Sequence, residues 1–431
     1  MIIRNPFKPI AIGLSPNASG EDVRLALSLL LSPSRWVEGE KIAKLEERFR
    51  GYLNVRFAYT FDSGRSSLYA LLSCLGIGPG DEVLLQAYTC VVVPNAVLWC
   101  GARPRYVDID GRTLNMDVAD LERKITPRSR AIIVQHTFGQ VAPMDEIIPL
   151  ARRHGLVVIE DCAHALGSDI QGRRAGTLGD AAFFSFGRDK VISSVHGGVA
   201  VTDDPHLGEK LGRFQADLPF PPRRWVAQQL FHPVAFSLMI LPTYELLNLG
   251  KVLLVLMQRL GILSLAVTRE EKRGGKPAML PARMPNGLAT LALSQMERLE
   301  RFNEHRRAIA RIYSEMLEGS GLQLPVQCPE PVEGMDRRVT STFLRYTVQT
   351  PRAAELYELA RRHRIMLGNW YCPAIAPKGT EPSKVFYEPG SCPVAERAAE
   401  RSLNLPTYPS LSLDDAHRIA RLILKGANGE K

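Results

Sequence analysis

Between about residue 57 and residue 203, short β-branched runs alternate with helical stretches, and this rhythm constrains the chain more than any other feature. Parallel strands cannot be joined by tight turns, so the alternation implies a mostly parallel central sheet sandwiched by crossover helices, an α/β fold. The clearest strands are 82–85, 131–134, 156–160, 182–186 and 198–202, with helices over 66–75 and 144–154. Ligands in such sheets bind beyond the carboxyl ends of the strands. Ser63, Asp161 and Lys190 all emerge there.

A chain of 431 residues is long enough for two domains. From residue 288 an amphipathic pattern predicts one long helix to about 317, followed by a strand at 343–348, a helix at 352–363, an aromatic loop at 368–373 and a last helix after 412–415. The expected division is 1–285 for the large domain and 286–431 for the long helix with a smaller α/β domain. The stretch 226–267 is unusually apolar, interrupted only by a few polar residues such as Lys251 and Arg259. A membrane-spanning helix wants about 20 predominantly apolar residues. The first piece, 231–242, is too short and the second, 246–267, carries two basic residues in mid-run. Two readings remain: a buried or oligomer-interface helical hairpin, or an element lying in a membrane interface, flanked by Arg223, Arg224 and Trp225 and by Arg269, Lys272 and Arg273.

The formal charge of +9 is scattered over helices such as 298–311 and 352–364, where acids are interleaved. That is the pattern of a solvated face, and with no recognisable RNA- or DNA-binding motif no nucleic-acid partner is expected. A basic protein does suit phosphorylated, acidic substrates. The seven cysteines are odd in number and lack C-x-x-C spacing, so neither a metal site nor a disulfide framework is expected. The apolar run in residues 1–14 is too short for a signal peptide. A cytoplasmic location follows as the expectation.

Lys190 follows an acidic strand end, Val157-Val-Ile-Glu-Asp-Cys-Ala-His164, and precedes the Gly-Gly turn at 197–198. A lysine that forms an imine needs an anion to hold a ring nitrogen protonated, with small or hydroxylated residues to hold a phosphate. Asp161 and Ser185 are placed for those tasks. Glu160 should point to the opposite face, because strand side chains alternate.

Taken in order, Asp62-Ser-Gly-Arg-Ser-Ser67, Pro79-Gly-Asp-Glu-Val83, Val107-Asp-Ile-Asp110, His136-Thr-Phe-Gly-Gln140, Glu160-Asp-Cys-Ala-His164, Phe184-Ser-Phe186 and Lys190 resemble the DegT/DnrJ/EryC1/StrS family of sugar aminotransferases. The resemblance continues through 283–293, 393–397 and 405–409, and lapses over roughly 215–280, where the chain carries an apolar helical insertion. It implies the pyridoxal 5'-phosphate-dependent transferase fold type I.

By position, the resemblance makes Lys190 the lysine that bonds the cofactor and shuttles the proton, Asp161 the partner of the ring nitrogen, and Gly64, Arg65, Ser66 and Ser185 the phosphate cradle. Ser63 to Ser67 can equally cap a helix. His164 stands where relatives carry Gln, near the cofactor's phenolic oxygen; otherwise it is a helix histidine, and its charge is expected to vary near neutral pH. Arg65 stands where Thr is common. Pro281 replaces an Asn that reaches the phosphate from a partner subunit, a loss Arg65 is expected to offset. The ring face falls to Cys90 or to Tyr88. On the substrate side, His196 replaces a Glu, and Asn369, Trp370 and Tyr371 occupy the place of a His-Tyr pair. The implied reaction moves an amino group, usually from glutamate, to a keto group of a nucleotide-linked sugar, in a homodimer. A sugar dehydratase, or a membrane-docked sensor or scaffold, are the competing readings; relatives of the first kind replace the lysine with His.

Overall fold

The computed structural model describes residues 9–15, 17–244, 248–326 and 339–429. Its centre is a seven-stranded sheet of β1 (Phe57–Phe61), β2 (Glu82–Gln86), β3 (Arg103–Val107), β4 (Ser129–Gln135), β5 (Val157–Asp161), β6 (Ala181–Ser185) and β7 (Gly198–Thr202). Across the sheet the order is β1, β7, β6, β5, β4, β2, β3. Only β7 runs antiparallel to its neighbours β6 and β1; every other pairing is parallel.

Both faces are covered, which is why the strands read as continuous apolar runs. Val83, Leu85, Ala131 and Ile133 face one core layer, whereas Leu84, Ile132 and Val134 face another. The helix Gly64–Cys74 starts directly after β1, with the Ser63 hydroxyl accepting from the Ser66 amide as N-cap. Its N-terminus therefore opens at the carboxyl edge of the sheet.

The long helix expected over 288–317 is two helices, Asn286–Met296 and Leu299–Leu317. Amphipathic periodicity continues across the junction, but Arg298 leaves helical geometry (φ −102°, ψ 3°). Its guanidinium instead meets Asp22 at 2.5 Å and Glu21 at 2.9 Å, at the start of the helix Gly20–Leu30. The first of the two helices buries Leu288, Leu291 and Met296 with β6 and β7. The second carries Ile309, Tyr313 and Leu317 into the smaller unit, whose strands Tyr346–Gln349 and Ser402–Leu405 pair antiparallel. The strand expected from 343 starts three residues later because Phe343 adopts φ 47°.

The apolar stretch forms the helix Arg223–Ala235, a π-turn at Phe236–Ile240 and the helix Leu249–Arg259. These close a small core of Ala235, Phe236, Ile240, Met257 and Leu263. Among the described residues, no helix is long and apolar enough to cross a membrane.

Candidate active site

Lys190 sits in the turn after β6, its amide donating to the Gly187 carbonyl at 3.1 Å. Its Nζ lies 2.9 Å from His164 Nε2, and the Tyr371 hydroxyl approaches the same nitrogen at 3.3 Å. The Phe138 amide donates to His164 Nδ1 at 3.3 Å. A neutral imidazole whose Nδ1 accepts carries its proton on Nε2. That edge of the ring faces both the lysine Nζ and the Tyr371 hydroxyl. Burial holds the imidazole pKa well below its ordinary 6.5, with Lys190 and Arg345 adding to the effect. The ring therefore stays neutral at physiological pH, where the sequence suggested a variable charge.

Asp161, at the end of β5, is 4% exposed. Its Oδ1 accepts the Ala163 amide at 3.0 Å. Burial raises its pKa, opposed by that amide and then by Lys190 and His136. A buried carboxylate in that position calls for a cation; a protonated ring nitrogen supplies one. Glu160 points the other way, as alternation predicts, and takes the amides of Gly176, Leu178 and Gly179 at 2.7 to 2.8 Å. His136, Glu160 and Cys162 approach one another closely enough to suggest a metal site. Glu160 is saturated by those amides and by His136 Nε2 at 2.9 Å, which makes the trio a structural knot.

The phosphate end is a cradle kept open by glycine. A Cβ on Gly64 would lie 2.7 Å from Ser185 Cβ, and one on Gly198 would lie 2.6 Å from the Gly64 backbone. Ser66 is fully buried, its hydroxyl 2.9 Å from Ser63 Oγ and its amide donating to the same oxygen at 3.3 Å. The Gly64 and Arg65 amides and the Ser185 hydroxyl remain for an anion at the helix N-terminus. This donor set fits a phosphate, and the buried Asp161 beside Lys190 fits the ring to which it belongs.

The Arg65 guanidinium turns elsewhere. It pairs with Glu271 of the inserted segment and donates to the Ala266 carbonyl at 2.7 Å. Glu271 also accepts the Thr268 amide at 2.8 Å. Arg188, half-buried, donates to the Ser264 carbonyl at 2.7 Å. The segment 264–271 thus straps the phosphate end, a contact with no local sequence signal.

The walls are aromatic. Phe138 stacks on His164 (centroids 5.5 Å, 9°) and on Tyr371 (5.7 Å, 19°). Tyr88 stands edge-on to Tyr371 and Phe138, its hydroxyl donating to the Trp370 carbonyl at 3.0 Å. Both Tyr88 and Phe138 have left-handed backbones (φ 65° and 55°), a strain that collects at functional sites. Cys90 is half-buried, with Lys190, Arg65 and Glu271 in its field. His196 packs edge-on against Trp225 at 5.2 Å, its pKa held well below 6.5 by burial, then by Arg188 and Arg65. Trp370 is anchored by its amide to Asn404 at 2.7 Å, whereas Asn369 is exposed. Phe138 lies in the His136–Gln140 motif, which by itself assigns it no role, and Arg345 carries no signal in the sequence pattern. Arg345, fully buried, lies 4.6 Å from the Trp370 ring and 3.7 Å from Asp189, next to the lysine.

A mixed sheet of this order, a lysine after β6, a buried aspartate at the end of β5 and a glycine-kept cradle at a helix N-terminus define a fold type I pyridoxal-phosphate-dependent aminotransferase. The DegT/DnrJ/EryC1/StrS aminotransferase family model matches residues 18–217 and 256–424. The chain belongs to that family. The unmatched residues between these blocks fall within the expected insertion. GDP-perosamine synthase of Escherichia coli O157:H7 is 31% identical over 391 residues, 88% of either chain. The namesake from Caulobacter vibrioides is 42% identical, but over 44% of this chain and 52% of its own. The crystal structure of S. venezuelae DesV superposes with a TM-score of 0.73 at 26% identity, covering 98% of this chain and 99% of that one.

Proposed function

We propose that the protein aminates a keto group of a nucleotide-linked sugar, with glutamate as donor, for the synthesis of a polysaccharide or other glycoconjugate. The observation that carries this reading is Lys190 held by neutral His164 beside buried Asp161. The relatives named as perosamine synthases, and one from Acidithiobacillus ferrooxidans named as an aminotransferase of a UDP-linked 3-dehydro-glucosamine (29% identical, 95% coverage of both), supply the sugar.

When bound, the cofactor supplies an electron sink for the carbon bearing the amine. Lys190 Nζ takes the proton from that carbon and later returns one to the incoming sugar carbon. His164 keeps the amine oriented, and Asp161 holds the ring nitrogen's proton. Gly64 and Arg65 contribute backbone amides to the phosphate site and Ser185 its hydroxyl, while Ser66 holds the turn through Ser63. Cys90 would cover the ring, with Tyr88 buttressing the wall behind. His196, Trp370 and Tyr371 border the substrate, and exposed Asn369 meets its distal end. The enzyme works in the cytoplasm as a homodimer. The presence of Lys190 disfavours a dehydratase.

The purified protein is expected to be yellow and sensitive to borohydride, and glutamate is expected to bleach that absorbance. Lys190→Ala should lower turnover by on the order of a thousandfold or more. A colourless protein that cannot be reconstituted would instead favour a non-enzymatic role.

A further inference from the structure

The hairpin that starts between the matched blocks and runs into the second presents an apolar surface that the other described residues leave uncovered. Leu238, Leu249, Val252, Val255, Leu256 and Leu260 are each between 48% and 61% exposed. In the helix Leu249–Arg259 these positions recur at helical spacing on one side, while Gly250 and Met257 are buried on the other. Ile262 and Leu265 extend the same apolar surface past the helix end. Singly exposed leucines are ordinary; this many on one short element mark a contact surface.

Charge decides what it contacts. From Leu218 to Glu271 the chain carries five basic residues, Arg223, Arg224, Lys251, Arg259 and Arg269, against three acids, Glu245, Glu270 and Glu271, the last of them paired with Arg65. Lys251 and Arg259 are exposed on the helix itself. A two-fold contact between copies would bring the same patch against itself and set like charge on like charge. An anionic lipid surface satisfies both features: leucine and valine enter the acyl boundary while lysine and arginine reach the headgroups. The 11 residues of helix rise only about 16 Å, roughly half the thickness of the hydrocarbon core, so the helix lies in the interface without crossing it.

We propose that the face formed by Leu238, Leu249, Val252, Val255, Leu256 and Leu260 docks the enzyme on an anionic lipid bilayer. The polar segment that follows the hairpin, 264–271, inside the second matched block, meanwhile straps Arg65 and Arg188 at the cofactor pocket. Docking and the pocket thus share one element, and the enzyme would act where lipid-anchored glycans are assembled.

Flotation of the full-length holoenzyme with vesicles tests this without reference to catalysis. The protein should float with phosphatidylcholine vesicles containing about 30% phosphatidylglycerol, and at least about fivefold less of it should float with vesicles of phosphatidylcholine alone. Val252→Asp/Leu256→Asp should abolish flotation, and Lys251→Glu/Arg259→Glu should do so without altering the apolar face. Both variants should keep the wild-type sedimentation coefficient and vesicle-free transaminase rate. The proposal fails if wild type stays at the bottom of the gradient with both vesicle types. It fails equally if either variant changes the oligomeric state, since the face would then be an interface between copies.

Discussion

At the scale of single residues, the pocket is legible where function falls on a strand end and obscure where it depends on packing. Lys190, Asp161 and Ser185 are each within a few residues of β5 or β6, so alternation and strand order alone bring them together. The tautomer of His164 is a different matter. It is set by the amide of Phe138, 26 positions away, and by the stacked rings of Phe138 and Tyr371, whose approach to the histidine is made by the fold and not by spacing. The glycines give the sharpest residue-level test. At Gly198 a methyl group would meet the backbone of Ser63 and Gly64 at 2.6 to 2.7 Å, and backbone at a helix N-terminus cannot step aside cheaply. Gly198→Ala should therefore cost about 2 kcal/mol of stability and, by shifting the amides that face the phosphate, weaken cofactor binding about tenfold. Titration of the apoprotein with pyridoxal phosphate, followed by absorbance, measures the second effect; an unchanged affinity would mean that the Gly64 turn does not hold the phosphate.

Elements show the same division between what periodicity encodes and what long-range contacts impose. The five strands read from the sequence stand within one or two residues of their expected places, because their apolar runs are bounded by turns, whereas Phe57–Phe61 and Arg103–Val107 are strands that the pattern does not single out. The break at Arg298 and the strap from the insertion do not show in the pattern, since each depends on charges brought together by the fold. Arg65 and Glu271 are 206 residues apart, and with side chains 14% and 1% exposed their pairing is a buried one. Removing one partner of such a pair strands the other charge, at a cost of roughly 3 kcal/mol, whereas removing both costs less than the sum. Arg65→Ala, Glu271→Ala and the double variant should accordingly show a coupling energy of about 1 to 3 kcal/mol in denaturant unfolding. Additive effects would mean that the strap is held by Thr268 and the 264–266 carbonyls alone, with the ion pair incidental.

For the whole molecule, the buried histidines make stability depend on pH in a direction that can be worked out. Burial holds His164, His196 and His232 well below the ordinary 6.5. The unfolded chain takes up a proton on each near pH 6.5 while the native state does not, so stability is full above that pH and is lost as pH falls toward the depressed folded values. Asp62 works in the opposite sense. Burial raises it to about 6, so the native state gains a proton before the unfolded chain does and offsets part of the loss between pH 6 and the ordinary 3.8. Asp161 is raised in the same direction. Both carboxyls are common to wild type and a histidine variant, so their contribution cancels when the two are compared. His232 isolates one contribution, since it sits outside the cofactor pocket, its Nε2 2.7 Å from Ser15 Oγ and its ring 4.2 Å from Phe236. His232→Gln removes that proton uptake from the unfolded state. Urea unfolding of the cofactor-loaded protein should then show wild type losing stability faster than the variant as pH falls below 6.5, the slopes differing by up to about 1.4 kcal/mol per pH unit. Parallel curves would show that His232 takes its proton in the folded protein, with the neighbouring Arg188 and the buried ring failing to exclude it.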